Sequence, residues 1–278
     1  MPDWISYIEN PFLLHALIAA ALIGFTNGFY SGVVVLRRAA LSVSALSHTL
    51  LPGIALAIAV TGMLSQVSAF IGALFAALMV GVGSLVISMR GRVAQGTALA
   101  ILYTSSFAAG VAVLPKLDSS RGLDEWLFGD ILGVTQTDLW ICLGIGVVTL
   151  LSLVSLMRPV LLTLFEPNVA AAQGVPAKRI QFMLFTLLIL TMVASLQAVG
   201  CVLSVGILVA PGASVMLWTN NPKALFWWGG IVGALGCVGG LFLADVLGLA
   251  SGPTITVTLG AIFGISFLIS PKLRQGAR

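Results

Sequence analysis

The chain has very little charge. Of its 278 residues only 8% are Asp, Glu, Lys or Arg, whereas 59% are hydrophobic, and the mean hydropathy is +1.12. A soluble domain carries about 25% charged residues, so a water-soluble enzyme is excluded. The net charge of +4 does not indicate nucleic-acid binding, because the basic residues occur singly or in pairs between apolar runs. The composition predicts an integral membrane protein.

Sequence motifs for catalysis are missing as well. The three cysteines, Cys142, Cys201 and Cys237, lie far apart inside apolar runs, so no disulfide framework or CxxC metal motif is indicated. The sequence contains no GxxxxGK[ST] phosphate loop, no GxSxG nucleophile elbow and no HExxH zinc motif. We therefore expect a non-catalytic chain that does not hydrolyse ATP itself.

The apolar runs have the length of membrane-spanning helices. A spanning helix needs about 20 apolar residues, and the alternating pattern of a membrane barrel is absent. The runs lie near residues 12–36, 41–61, 64–88, 94–114, 139–157, 180–198, 200–218, 225–247 and 253–270. The run at 200–218 contains Pro211 and three glycines, so we expect a broken or re-entrant segment there. The prediction is one all-α polytopic domain over residues 1–278 with eight or nine transmembrane helices.

The distribution of charge predicts the orientation. If the N-terminus lies outside and the nine runs alternate, eleven of the thirteen basic residues fall on the cytoplasmic side, with Lys116 and Arg121 as the exceptions. Eight of the nine acidic residues fall on the outer side, and Glu166 is the exception. Cytoplasmic loops of membrane proteins are enriched in Lys and Arg. We therefore expect an outer N-terminus and a cytoplasmic C-terminus.

Two loops are long enough to have structure of their own. The outer loop, 115–137, contains Asp124, Glu125 and Asp130 beside aromatic residues, which fits either an interfacial amphipathic helix or an acidic docking face beside the pathway. The inner loop, 158–179, has a proline, then an Ala-rich stretch, then a glycine. This order predicts a short capped helix on the cytoplasmic face.

Few ionisable groups remain inside the spans. His48 lies four residues after Ser44, so the two share a helix face. A neutral imidazole is a good ligand for transition metals, but it also serves as a structural group hydrogen-bonded to a neighbouring helix, and for His15 we favour the structural role. Every acidic residue falls at or beyond a span end, which disfavours a proton-driven transporter. The pattern indicates a pathway subunit of a multi-protein pump.

Five segments in order along the chain carry a family pattern. In the first, Arg38, Leu41, Ala45, Ser47, His48, Pro52 and Gly53 match R-x-x-L-x-G-D-A-x-S-H-x-x-x-P-G. The others are LFGDILGV at 127–134, EPNVAAAQGV at 166–175, AVG to LVAP at 198–211, and SGPT at 251–254. Together they resemble the permease subunits of the zinc/manganese/iron-type ABC metal-ion importers, over nearly the whole chain.

The resemblance implies a type II ABC-importer-like permease of the bacterial inner membrane. It implies two permease subunits that form the path, an extracytoplasmic metal-binding protein, and a cytoplasmic ABC ATPase dimer. The cargo would be a divalent zinc, manganese or iron ion, with no permanently bound cofactor.

Two cytoplasmic segments are candidates for coupling to the ATPase. The first includes Glu166, Pro167 and Gly174, and the second includes Pro211, Gly212, Asn220 and Asn221. The distant similarity to cobalamin and siderophore permeases favours the second segment as the main coupling element.

One departure from the family pattern concerns the metal path. Where the family has Gly-Asp, this chain has Val43-Ser44. By resemblance His48 keeps its role as a ligand, whereas Ser44 takes only the position of the aspartate, and a hydroxyl brings no charge to a divalent cation. Either two His48 side chains face each other in a weaker dimeric site, or the cargo differs, or an unlike permease subunit supplies the carboxylate.

Two other functions stay open at this point. A permease of the same fold for a metal chelate or siderophore would be indifferent to His48. An autonomous ion-coupled transporter or channel would work without any ATPase.

Overall fold

The described part of the chain is entirely helical. The computed structural model describes residues 11–61, 65–91, 93–113, 129, 131–200 and 204–270, and these ranges contain no strand. The helices are α1 (Pro11–Leu36), α2 (Ala40–Thr61), α3 (Gln66–Arg90), α4 (Gln95–Val113), α5 (Gln136–Ser155), α6 (Met157–Phe165), α7 (Pro167–Ala172), α8 (Ala177–Val199), α9 (Ser204–Met216), α10 (Pro222–Leu247) and α11 (Ser251–Ile269). A 3₁₀ turn, Ile131–Gly133, precedes α5.

Eight of these helices are long and apolar enough to cross a membrane. They are α1 to α5, α8, α10 and α11. The prediction of an all-α polytopic protein is confirmed. Helix α9 has only 13 residues, so it is about 20 Å long, against a hydrocarbon core of about 30 Å.

One end of the bundle is defined by contacts around the 3₁₀ turn. The backbone N–H of Ile131 donates to Ser251 Oγ at 3.4 Å. Gly129, which has a φ of +71°, lies so close to the end of α8 that a Cβ there would come within 2.3 Å of the carbonyl carbon of Val199. The end of α8 and the start of α11 therefore share this end.

Other contacts define the opposite end. Ser270 Oγ, just after α11, donates to the carbonyl oxygen of Leu217 at 2.9 Å. Gln181 Nε2, near the start of α8, donates to Gln95 Oε1 at the start of α4 at 3.2 Å. Residue 200 thus lies at one end and Leu217 at the other, so α9 returns the chain across the bundle. In the described part of the chain, the eight long helices and the short α9 thus make nine runs between the two ends, which lies within the predicted range of eight or nine spans.

The charged side chains lie near these two ends of the bundle, and basic residues are concentrated at one of them. The described basic residues lie at the Leu217 end, at helix termini or in the turns between helices, and we call this the basic end. They are Arg37, Arg38, Arg90, Arg158, Lys178, Arg179 and Lys223. Asp138 and Asp245 lie at the other end, near the start of α5 and the end of α10. This asymmetry supports the predicted orientation, in which the basic end is cytoplasmic.

Glycines hold the bundle together. A Cβ on Gly28 of α1 would lie 2.3 Å from the carbonyl oxygen of Gly229 on α10, and one on Gly233 would lie 2.2 Å from that of Gly24. Between α2 and α3, a Cβ on Gly53 would lie 2.3 Å from the carbonyl oxygen of Gly72. In lipid, helices associate through such close packing of small residues. These contacts fix α2, which carries His48.

The structure describes the inner loop completely and the outer loop only in part. The predicted short helix in the inner loop is confirmed as α7, followed by Gly174 with a φ of +72°. The structure adds α6 before it, where the sequence predicts only a loop, because Pro159 in the first turn of α6 needs no helical N–H donor. In the outer loop, Asp124, Glu125 and Asp130 lie outside the described residues.

Candidate functional site

The imidazole of His48 packs against two aromatic rings. On α4, the ring centroid of Tyr103 is 6.3 Å from that of His48, with an interplanar angle of 29°. Phe107, one turn further along α4, lies at 6.1 Å with an angle of 74°. The two aromatic residues are four apart and share a helix face. Helix α4 thus presents an aromatic wall to the candidate ligand.

Ser44 lies one turn before His48 on α2, and both side chains are half-buried. The neighbouring Ser47 is only 1% exposed, and its hydroxyl donates to the carbonyl oxygen of Ser44 at 2.7 Å. The hydroxyl of Ser47 is therefore hydrogen-bonded within its own helix, as serine hydroxyls in apolar helices often are. Within the described ranges no hydrogen bond is formed to the ring of His48, so the interhelical hydrogen bond of the structural alternative is not observed there.

The path residues of one chain do not complete a metal site. Over the described ranges, no group of three or more His, Cys, Asp or Glu side chains could hold a metal ion. His15, near the start of α1, lies in the opposite half of the bundle from His48, which is two turns from the basic end. A divalent cation at His48 would need further ligands from water or from another subunit.

Sequence reasoning missed Tyr103 and Phe107. Their i, i+4 spacing is visible in the sequence, but the apolar residues of helix α4 are spread evenly around its axis and the helix is largely exposed. No periodicity therefore marks an inward face. Only the packing of α4 on α2 shows that these rings meet His48.

A second candidate site lies at the basic end, between the inner loop and the start of α10. A cavity of about 650 Å³ is lined by Arg158, Phe165, Glu166 and Gln173 from the inner loop and by Lys223 from the start of α10. In this loop α7 is exposed except for Ala170, which is buried, and both Glu166 and Gly174 beside it are exposed. The arrangement leaves α7 as a projecting helix on a charged surface.

In the second candidate coupling segment, only part of the residues are exposed to a partner. Pro211 and Gly212 are buried inside α9, and a Cβ on Gly212 would lie 2.6 Å from Ser31 Oγ on α1. Asn220 and Asn221 are exposed, but Asn221 Oδ1 accepts the N–H of Lys223 at 3.0 Å and caps α10. Pro211 and Gly212 are therefore packing residues, and a bulky residue at Gly212 would disturb the contact of α9 with α1. The role of Gly212 in coupling to a partner stays a prediction.

The fold defines a polytopic all-helical membrane protein, in which the half-buried Ser44 and His48 share one face of α2. The family model of the ABC 3 transport family matches residues 9–270. The chain belongs to this family.

Three named relatives match this chain over most of their length. The chain is 36% identical over 95% of its length to the "Manganese transport system membrane protein MntC" of Halalkalibacterium halodurans, covering 89% of that protein. It is 36% identical over 95% of its length to the "Manganese import system permease protein ScaB" of Streptococcus parasanguinis, covering 92%. It is 31% identical over 93% of its length to the "Chelated iron transport system membrane protein YfeD" of Yersinia pestis, covering 85%.

Solved structures agree with this assignment. The chain is similar to PsaBC from Streptococcus pneumoniae in complex with Fab, with a TM-score of 0.85, 33% identity, and coverage of 97% of this chain and 96% of that one. A metal-chelate type ABC transporter in an inward-facing conformation shares the fold, with a TM-score of 0.74, 18% identity, and coverage of 96% and 89%. The protein is a membrane-spanning permease subunit of a metal-ion ABC importer of the bacterial inner membrane.

The uncharged position of Ser44 gives a direct test of the path. Replacing it by aspartate (Ser44→Asp) should tighten Mn²⁺ binding to the purified complex by about tenfold, because a carboxylate adds charge and an oxygen ligand one turn from His48. Calorimetric titration measures this.

The same titration on the double variant Ser44→Asp/His48→Ala is the control. If the two residues act as a pair, the gain disappears with His48. An unchanged affinity in Ser44→Asp would show that this face does not bind the ion. A gain that survives the loss of His48 would show that the two residues do not act as a pair.

Proposed function

We propose that this permease conducts Mn²⁺, with iron as the second candidate. The observation that carries the proposal is the 36% identity, over 95% of the chain, to two proteins named for manganese transport. The relative named for chelated iron transport is 31% identical, so iron is the second candidate cargo. Zinc, which the sequence resemblance also allows, is the weakest of the three predictions, because none of the relatives compared above is named for it.

The path in this proposal runs along the face of α2 that carries Ser44 and His48. The aromatic rings of Tyr103 and Phe107 limit the positions that the imidazole can take. A neutral imidazole with few other ligands binds a cation weakly, and weak binding suits a transporter because the ion must leave again. No permanently bound cofactor is part of the mechanism, since the divalent ion is cargo.

An unlike second permease subunit fits this path best. Mn²⁺ prefers carboxylate, carbonyl and water oxygens, whereas one chain offers His48 and a serine hydroxyl. Two identical chains would double these ligands without adding a negative charge. A partner permease that carries the carboxylate would complete the site, so we favour a heteromeric pair over two identical subunits.

Energy must come from other subunits. The sequence has no phosphate-binding loop of the GxxxxGK[ST] type, so we infer a separate cytoplasmic ABC ATPase dimer. An extracytoplasmic metal-binding protein would deliver the ion to the opposite end of the bundle, where the described acidic residues Asp138 and Asp245 lie.

Helix α7 is the better candidate for contact with the ATPase. It projects from the surface, is anchored by the buried Ala170, and borders the cavity that also contains Lys223 of α10. Displacement of α7 would therefore act on α6 and α8, the two helices that it contacts. The second segment offers only the short loop around Asn220 and Asn221, which supports a secondary role for it.

Two matched substitutions separate the coupling segments. Val169 on α7 and Met216 at the end of α9 are similarly exposed, at 41% and 44%. We expect Val169→Asp to reduce ATP-driven uptake by about tenfold or more, because a buried charge in an apolar contact costs several kcal/mol. Met216→Asp should have little effect. ATP hydrolysis and uptake are measured on the reconstituted complex, with complex assembly as the control for folding. Loss of uptake only in Met216→Asp would instead assign coupling to the second segment.

Cellular metal content tests the proposed cargo. Deleting the gene under metal limitation should lower whole-cell manganese selectively, as measured by elemental mass spectrometry of manganese, iron and zinc. The intact gene and a His15→Ala variant should restore manganese, and His48→Ala should not, although it is inserted at the same level in the membrane.

The alternative outcomes are informative. A selective fall in cellular iron would identify iron as the cargo and would leave the proposed path unchanged. Full restoration of manganese by His48→Ala would show that transport does not need His48, and it would favour a metal chelate as substrate.

A further inference from the structure

A second, smaller cavity lies at the basic end between α1, α2, α4 and α8. Its volume is about 130 Å³. The polar groups that line it come from four places in the sequence. They are Tyr30, Arg37, Arg38, Ser42 and Gln95. The apolar wall opposite is formed by Leu184, Phe185 and Leu188 of α8. Neither the metal path nor the coupling surface uses this cavity.

The turn between α1 and α2 brings two arginines to the cavity. The N–H of Arg38 donates to the carbonyl oxygen of Val35 at 3.0 Å, and that of Ala39 donates to Val34 at 2.9 Å. This is the hydrogen-bond pattern of a Schellman cap. Arg38 occupies its left-handed position with a φ of 53°, where glycine is the usual residue. Two successive arginines thereby line one small cavity.

Among the described residues, the arginines of this cavity have no carboxylate as an ion-pair partner. Arg37 is half-buried, and the loss of water around it lowers the pKa of its guanidinium. Within the described ranges no carboxylate lies against Arg37 or Arg38. Glu166, the one acidic residue that the sequence assigns to the cytoplasmic side, lines the other cavity. A partly desolvated charge needs a partner of opposite sign.

The remaining groups in the cavity are suited to hold an anion. The Tyr30 hydroxyl donates to the carbonyl oxygen of Leu184, and this hydrogen bond joins α1 to the apolar wall on α8. Gln95 uses Oε1 to accept from Gln181, so its amide N–H₂ is the end that can donate to a ligand. Ser42 lies in the first turn of α2, where backbone N–H groups have no acceptor in their own helix.

We propose that this cavity binds a phosphate group, namely that of an anionic phospholipid headgroup. Its volume corresponds to about four water molecules at ~30 Å³ each, which admits one phosphate but no peptide helix of about 10 Å diameter. Basic pockets between transmembrane helices at the cytoplasmic side bind anionic headgroups. Free inorganic phosphate has the same chemistry, and the experiment below distinguishes the two sources.

Binding there would have a structural consequence. The phosphate would link the α1–α2 turn to Gln95 on α4, and these two helices, α2 and α4, also carry His48 and its aromatic wall. An anionic lipid would therefore stabilise the arrangement of the metal path. The proposal is independent of which metal is transported.

The test uses the purified complex in nanodiscs of phosphatidylcholine, with or without phosphatidylglycerol, and in phosphatidylcholine with added inorganic phosphate. Native mass spectrometry counts the lipids retained, and thermal unfolding gives Tm. We expect phosphatidylglycerol to be retained and to raise Tm by about 2–4 °C. Arg37→Gln should lower retention about tenfold and abolish the rise. The control Arg179→Gln, an exposed arginine at the same end, should change neither.

Each outcome decides the proposal. A rise in Tm with inorganic phosphate alone that Arg37→Gln removes would overturn the lipid as the source. Equal effects of Arg37→Gln and Arg179→Gln, or retention of phosphatidylglycerol in both, would overturn the site. If Arg37→Gln does not fold, Arg37→Lys and Ser42→Ala replace it. Ser42→Ala should weaken retention while keeping every charge, and undiminished retention there and in Arg37→Lys would again overturn the site.

Discussion

The cost of charge in hydrocarbon determines how this permease is built. A charged side chain at the bilayer centre costs about 2.5–3.5 kcal/mol or more, and the described charges lie at the ends of the helices. The interior is therefore assembled from apolar side chains and from glycines that bring α1 to α10 and α2 to α3. Among the described residues, the proposed metal path offers imidazole, hydroxyl and aromatic groups and no charged side chain.

Much of this architecture could be predicted from local signals. Apolar length is a property of the sequence alone, which is why the long helices and the irregular run at 200–218 were predictable. The order of proline, alanines and glycine around residues 167–174 is equally local, and α7 confirms it. His48 stood out because ionisable groups are rare inside spans, although its role as a ligand stays a prediction.

Other features depend on tertiary contacts that no local pattern encodes. Tyr103 and Phe107 meet His48 only because α4 packs on α2. Gly212 resembles a surface turn in the sequence, but its contact with Ser31 buries it. Arg37 and Arg38 look like ordinary cytoplasmic charges until the left-handed turn at Arg38 places both on one cavity. In each case burial, rather than residue type, decides the role.

We propose that the chain forms a metal path and that a separate ATPase supplies the energy for transport. Proteoliposomes test it directly by comparing Mn²⁺ accumulation by this permease alone with accumulation by the complete complex. We predict that accumulation requires both the ATPase subunits and ATP, and that a proton gradient across liposomes with the permease alone gives none. Accumulation by the permease alone in response to that gradient would contradict the account and identify an autonomous ion-coupled transporter.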